Sequence, residues 1–572
     1  LGTVRESRTQ HHHRLAALGA FALVAIVYLA GIGGYPLQDP DEGRYAEIPR
    51  EMIETGDWVT PRLNYVQYFE KPPLLYWLVA SSFEVFGMTE GAARAVPACS
   101  GLLTIVVTYL LGARLFGRRA ALFGAGALAT SPLFFGLSQG LTIDALLTAG
   151  VTLTLASVWA AHDAQHKTTW ALLVALGAAL AVLAKGPIGL VLPGLIALPF
   201  LLCVRDVATI RALLGFGPLA LFGIVAVPWF VLVARANPEF LHFFFIREHV
   251  GRFASTVGHP EGPFYYVPPL LTAALPWTAV AAALSVGRAG RRAFGAIPRE
   301  PRLFLLLWAG VTIAFFSLAS SKLVPYILPA LPPLGLLAGA WIDRVIDQEE
   351  LGETVVRWLG VAFVATGALI LVASAITWAY DARLAAWLAE DAADVRTVAV
   401  AARAVGLTLL VSGVVAAPRG SVSSPGPSGR LGILGAGMAL ALLAGVSGRN
   451  IVTTSRELGN AIQQHRRPGD LLVSYNKFMQ GLGFYTQSRI TMVRGFHEID
   501  DSRSWDPAYQ TFLWNNPKRL AREWSSDRRV LLATEQENLR RLKRLLEPDP
   551  RIVVRNRRRV LLANFPPEKA LP

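Results

Sequence analysis

The sequence predicts an α-helical integral membrane protein of about thirteen transmembrane helices that carries a small C-terminal α/β domain. Three observations predict it. The 572 residues are 53% hydrophobic and only 16% charged, against roughly 25% charged in soluble domains. Apolar runs of about 20 residues, the length that crosses a hydrocarbon core, recur from Leu15 to residue 447. From residue 448 onward those runs stop, and short apolar segments separated by charged stretches replace them.

The chain begins at Leu1 rather than at a methionine, which predicts a missing start. His11, His12 and His13 follow, but contiguous histidines make poor polydentate geometry, so no metal site is expected there. Leu15–Gly34 is the first span. Arg5, Arg8 and Arg14 before it place the N-terminus in the cytoplasm by the positive-inside rule. The apolar segment Leu74–Phe86 is short, opens on Pro72-Pro73 and holds Glu84. If it spanned, Arg118 and Arg119 would fall outside and every later basic loop would invert. It therefore reads as an interfacial or re-entrant helix within a long first external loop over about residues 35–92.

Further spans are expected at approximately 93–117, 120–138, 142–161, 169–184, 188–204, 212–234, 266–287, 303–320, 324–342, 356–378, 398–417 and 431–447. Lys167, Arg205, Arg211, the run from Arg288 to Arg302, Arg344, Arg357, Arg419 and Arg430 then lie in cytoplasmic loops. Asp381, Glu390, Asp391 and Asp394 lie outside. Pro418–Gly429 is a cytoplasmic linker without chemical interest. The transmembrane domain covers residues 1–447, and residues 448–572 form an external α/β domain. Its strands are expected at Asp470–Tyr475, Ile490–Arg494, Arg529–Ala533, Arg551–Val554 and Val560–Ala563. Its helices are expected at Ser455–His465 and Gln536–Leu546.

The formal charge is +14, but the arginines fall between spans and in the C-terminal domain. That pattern fits membrane lipid rather than nucleic acid. Cys99 and Cys203 both sit in apolar stretches and form no metal or disulfide framework. No phosphate-binding glycine loop is present, so a nucleotide cofactor is not expected.

On this topology four external stretches carry unusual polar residues. The first loop supplies Asp41, Glu42, Tyr45, Tyr68, Glu70 and Lys71. Asp144 stands at the mouth of the fourth span. Arg247, Glu248, His249, Arg252 and His259 follow the seventh, and Ser321, Lys322 and Tyr326 join the ninth and tenth. Lys185-Gly186-Pro187 turns on the same side. Each residue has a plainer reading. Asp41 and Asp144 are suited to capping helices. Lys71 and Lys322 suit interfacial anchoring, and the tyrosines suit an aromatic belt. His249 beside Arg247 and Glu248 suits a solvated face, and His259 before Pro260 a turn. Their coincidence on one face favours chemistry there: carboxylates and cations suit an anionic group, and a hydrophobic bundle suits a lipid-linked substrate.

The strings DPDEGRYAEIPREM, YFEKPPLLYW, REHVGRF, HPEGPFYY and SKLVPYILP resemble the C-type glycosyltransferase fold. More narrowly, they resemble its bacterial branch of 4-amino-4-deoxy-L-arabinose (aminoarabinose) lipid A transferases, related to protein O-mannosyltransferases. The resemblance covers the membrane core; the external tail carries no motif of its own.

The resemblance implies transfer of aminoarabinose from undecaprenyl phosphate to a lipid A phosphate at the periplasmic face of the inner membrane. That is a lipopolysaccharide modification that protects against cationic antimicrobial peptides such as polymyxin. It implies Asp41 and Asp144 as catalytic carboxylates. Lys71 is expected to stabilise the departing phosphate, with help from Arg247 or Lys322. Glu42, Tyr45, Tyr68 and Tyr326 are expected to line the substrate pocket. It also implies Glu70 and His249 as ligands of a divalent metal, zinc by ligand chemistry. Two alternatives stand beside it. One is a mannosyl or other polyprenyl-phosphate-sugar transferase that acts on a protein, glycan or lipid hydroxyl. The other is a transporter or lipid flippase, against which the absence of an internal repeat and the clustering of polar groups at one face both argue.

Overall fold

A computed structural model describes residues 19, 21–251, 261–275, 277–346, 349–380, 383, 392–417, 426–446, 454–495, 499, 506, 509–556 and 558–566. The expected N-terminal arginines and histidines, Arg252, His259, Asp381, Glu390, Asp391 and most of the 418–429 linker lie outside these residues.

The first loop is ordered by short-range signals. Asp41 and Glu42 fill the first turn of the helix Asp41–Thr55, where acidic groups meet the positive end of the helix dipole, and Gly56 closes it with φ 69°. A two-stranded ribbon follows, β1 (Arg62–Leu63) against β2 (Val66–Gln67). Its turn residues Asn64 and Tyr65 both take positive φ, 55° and 63°, as a tight hairpin requires. The helix Leu74–Phe86 has 13 residues, about 20 Å at 1.5 Å per residue, too short for a core of about 30 Å.

Among the described residues, eight helices are long and apolar enough to cross a membrane: Glu90–Phe116, Ile143–Asp163, Lys167–Lys185, Phe216–Ala236, Arg299–Leu318, Val324–Ile346, Val356–Ala379 and Val395–Ala416. A ninth results if Arg118–Ala129 and Pro132–Gln139, bent by 63°, form one span. The bend falls at Ser131, whose successor is proline; the pyrrolidine ring disfavours a helical residue before it. Ile188–Cys203 matches the expected span 188–204 and runs 16 residues through Pro193 and Pro199. Proline marks two departures from the expected spans. Val324–Ala330 is a 3-10 segment with Pro325 and Pro329. The expected span 266–287 is two shorter helices, Val267–Ala273 and Trp277–Val286. Close packing is set by glycine where helices cross: a Cβ on Gly339 would lie 2.3 Å from the Gly124 backbone nitrogen, so only small residues fit that interface.

The C-terminal domain is a six-stranded sheet in the order β5 (Leu513–Trp514), β4 (Thr491–Val493), β3 (Leu471–Tyr475), β6 (Val530–Glu535), β8 (Arg559–Ala563), β7 (Arg551–Arg555). The first four strands run parallel, and β8 lies antiparallel between β6 and β7. All five expected strands are present; β5 and the helices Gln480–Thr486 and Pro517–Trp524 are additional. The expected boundary at residue 448 divides what packing joins. One apolar cluster runs from Tyr45, Ile48 and Met52 through Phe83 to Phe484, Met492 and Leu513. The first loop and the C-terminal domain therefore share a core.

Candidate active site

Helical spacing brings Asp41, Arg44 and Tyr45 to one end of the helix Asp41–Thr55, three and four residues apart. Arg44 is the hub. Its Nη2 donates to Asp41 Oδ1 at 2.6 Å, and its Nη1 donates to the Tyr68 hydroxyl at 2.8 Å. The same Nη1 stands 3.9 Å from Glu70 Oε2, and Lys71 Nζ approaches that carboxylate oxygen to 3.8 Å while donating to the Glu70 carbonyl at 3.1 Å. Asp41 is 64% exposed whereas Arg44 is 12% exposed, so Asp41 is the accessible end of a largely buried network. Tyr45 is buried. Burial pushes its phenol well above the usual range, and Arg44 works against that shift. The carboxylates of Asp41, Glu70 and Asp144 raise it further. Tyr45 is therefore a neutral hydroxyl surrounded by three acidic groups.

Asp144 arrives from the bundle. It occupies the first turn of Ile143–Asp163, and Lys185 occupies the last turn of the neighbouring helix Lys167–Lys185. Each charge matches the dipole end on which it sits, and the two antiparallel helices bring them together. Lys185 Nζ donates to Asp144 Oδ1 and also lies over the Tyr326 ring, 4.2 Å from its centroid. Asp144 and Lys185 are largely buried, so this is an ion pair in low dielectric at the same end of the bundle as Asp41.

Other expected residues are placed differently. Glu42 belongs to the scaffold: its carboxylate accepts from Arg94 Nε at 2.8 Å, Arg94 Nη2 at 2.7 Å, the Gln38 amide at 2.9 Å and the Leu141 amide at 2.8 Å. These four donors occupy the acceptor sites of a carboxylate, which corrects the expectation of a substrate contact. Lys322 is buried and donates to the carbonyls of Glu261 at 2.7 Å and Ala319 at 2.6 Å. Arg247 is exposed and lies over the Phe243 ring at 5.5 Å. His249 lies on the π-helix His242–Gly251, and its side chain is outside the described residues.

Among the described residues no group of three His, Cys, Asp or Glu side chains is placed to hold a metal ion. Glu70 faces two cations, an unfavourable setting for a dication unless those partners move.

Residues to which the sequence reading gave no role in the site complete it. Arg44 was visible only as part of the first-loop string; its spacing to Asp41 is the signal that finds it. Lys185 pairs with a residue 41 positions away, and the signal is opposite charges at facing ends of adjacent spans. Arg94 is fully buried and gives no local sign of its partner Glu42.

Residues 70–231 match the family model described as dolichyl-phosphate-mannose-protein mannosyltransferase. The chain is 36% identical over 375 residues to the undecaprenyl phosphate-alpha-4-amino-4-deoxy-L-arabinose arabinosyl transferase of Pectobacterium carotovorum, covering 63% of this chain and 65% of that protein. It is 35% identical over 369 residues to the transferase of the same description from Pseudomonas aeruginosa, covering 62% and 64%. The matched region thus spans just under two thirds of these relatives. The crystal structure of ArnT from Cupriavidus metallidurans bound to undecaprenyl phosphate superposes with a TM-score of 0.84 at 28% identity, covering 96% of this chain and 98% of that one. An oligosaccharyltransferase from Archaeoglobus fulgidus, at 14% identity and a TM-score of 0.51, shares the fold.

Proposed function

Because the chain belongs to the aminoarabinose transferase family, related to the protein mannosyltransferases, we propose that it transfers 4-amino-4-deoxy-L-arabinose from undecaprenyl phosphate to a lipid A phosphate. The observation that carries this reading is the pairing of cations and carboxylates around Tyr45. Arg44, Lys71 and Lys185 stand against Asp41, Glu70 and Asp144 at one end of a membrane bundle.

In the reaction an acceptor oxygen attacks the anomeric carbon as the bond from that carbon to the undecaprenyl phosphate oxygen breaks. Negative charge grows on the departing phosphate, and Arg44 and Lys71 are positioned to meet it; fixed cations aimed at developing charge are often the largest catalytic contribution. A phosphate acceptor is already ionised near neutral pH, so it needs no base. Asp41 and Asp144 then serve the ammonium of the amino sugar. If the acceptor is a hydroxyl, as the match to the mannosyltransferase model suggests for the second reading, the exposed Asp41 takes its proton. Tyr45, Tyr68 and Tyr326 offer hydroxyls and apolar faces to the sugar.

The alternating basic loops support a cytoplasmic N-terminus, with the active site and C-terminal domain in the periplasm. Zinc at Glu70 and His249 is a subsidiary part of the reading, supported by the affinity of carboxylate and imidazole for that ion. Two protein ligands leave the site to be completed by water or substrate, and no step of the transfer runs through it.

Mass spectrometry of lipid A from cells with and without this chain tests the function. Added mass matching a pentosamine is expected. Unchanged lipid A, with a hexose appearing on another acceptor, sustains the second reading instead.

A further inference from the structure

The second half of Glu90–Phe116, the helix Arg118–Ala129 and the second half of Ile143–Asp163 surround a cavity of 1020 Å³. This is about the upper limit for small-molecule pockets, roughly 300–1,000 Å³. It lies at the opposite end of the bundle from Asp41. The Glu90 end of the first helix touches the C-terminal domain, where the Tyr485 hydroxyl donates to Glu90 Oε1 at 3.2 Å. The Phe116 end closes this 27-residue helix, about 40 Å away along its axis.

The lining is apolar along most of its length, with Ile105, Leu110, Leu122 and Leu153 among it. Its charged groups are Arg114 and Arg118, on either side of the chain reversal at Gly117 (φ 91°). The Arg114 guanidinium lies over the ring of Trp170, another lining residue, at 4.3 Å. Arg114 and Arg118 are both exposed. Among the described residues no carboxylate pairs with either, whereas the adjacent Arg119 is taken by Asp343. An apolar trough ending in two unneutralised guanidinium groups and an indole has the polarity of a membrane–water boundary.

We propose that this cavity binds an anionic glycerophospholipid of the leaflet opposite the candidate active site. Its acyl chains fill the trough, and its phosphate sits at Arg114 and Arg118. Guanidinium groups suit phosphate because they present several donors in one plane. The cavity lies apart from the carboxylate network around Asp41, so the proposal stands independently of the sugar and its acceptor.

The test is lipid retention by the purified full-length chain, followed by native mass spectrometry during titration with phosphatidylglycerol or phosphatidylcholine. Wild type is expected to retain phosphatidylglycerol in preference to phosphatidylcholine. The double variant Arg114→Gln/Arg118→Gln should bind phosphatidylglycerol roughly ten- to thirtyfold more weakly, as the loss of two surface cations implies. Leu122→Trp, which fills the trough and keeps both arginines, should also lose it. Each variant is first checked for wild-type gel-filtration behaviour and melting temperature. Equal retention of the two lipids, unchanged binding in either folded variant, or displacement by equimolar undecaprenyl phosphate overturns the proposal. If the double variant does not fold, Leu122→Trp and the lipid preference of wild type decide it.

Discussion

Arg559 donates from Nη1 to Asp39 Oδ2 at 2.7 Å across 520 positions of the chain. Ser455 donates to the same oxygen at 2.6 Å, and the Gly481 amide donates to Oδ1 at 2.7 Å. Asp39 is buried two residues before Asp41, so the C-terminal domain grips the segment that presents the accessible carboxylate. Arg559→Met should leave the buried Asp39 carboxylate without its cation, at a cost of about 3–5 kcal/mol. Thermal unfolding in detergent should show the loss, and limited proteolysis should cut between the domains. Arg559→Lys should recover part of both.

Asp41→Asn should reduce transfer about a hundredfold or more, the scale of losing a catalytic acid–base or charged contact. Because Asp41 is 64% exposed, stability should change by no more than about 0.5 kcal/mol. A transfer assay beside a melting curve checks both. Near-wild-type turnover would remove Asp41 from the chemistry.

Glu42→Gln should behave in the opposite way. It leaves the fully buried guanidinium of Arg94 without its charge partner. The expected outcome is a lower melting temperature, with about 3–5 kcal/mol lost. Whatever protein survives folded should retain much of its turnover, because the Glu42 acceptor sites face protein donors.

Stability should also depend on pH through Glu51. This carboxyl lies buried in the first loop, accepts from the Tyr65 amide at 2.7 Å and is pushed well above its ordinary range, first by burial and then by Glu47. A carboxyl whose folded pKa is raised holds a proton that the unfolded chain releases near 4.3. Its contribution is full below that pH and is lost as pH rises through the folded value. Glu51→Gln, permanently neutral, should flatten the decline in melting temperature between mildly acidic and neutral buffers. An unchanged slope would assign the decline to other groups.

Metal analysis of the purified chain addresses Glu70 and His249. The expected outcome is bound zinc in wild type that falls in Glu70→Gln and His249→Ala. Zinc absent from wild type removes the metal from the site.

Much of the architecture was legible because its causes are local. Length and hydropathy identified the long helices and rejected Leu74–Phe86 as a span. Alternation and turn residues located five strands of the C-terminal sheet. The bend at Ser131 and the two-part segment 267–286 were not separated, because a hydropathy window averages over prolines and breaks. The site was legible as a set of residue types on one side but not as partners. Glu42 looked like Asp41 in sequence, yet Arg94, 52 positions away, takes it into the scaffold. Asp144 looked isolated until the antiparallel helices set Lys185 against it. Long-range pairing of this kind leaves no periodicity to read.

The described cations of the candidate active site each already face a carboxylate: Arg44 with Asp41 and Glu70, Lys71 with Glu70, and Lys185 with Asp144. Under the proposed function, an incoming phosphate would meet a neutralised constellation rather than a standing positive field. Its recognition would be an exchange in which it takes a guanidinium or ammonium and releases a carboxylate. Asp41, the most exposed of the three, is the cheapest to release. On that reading, donor binding and liberation of the carboxylate would be one event, and without donor Asp41 stays paired with Arg44.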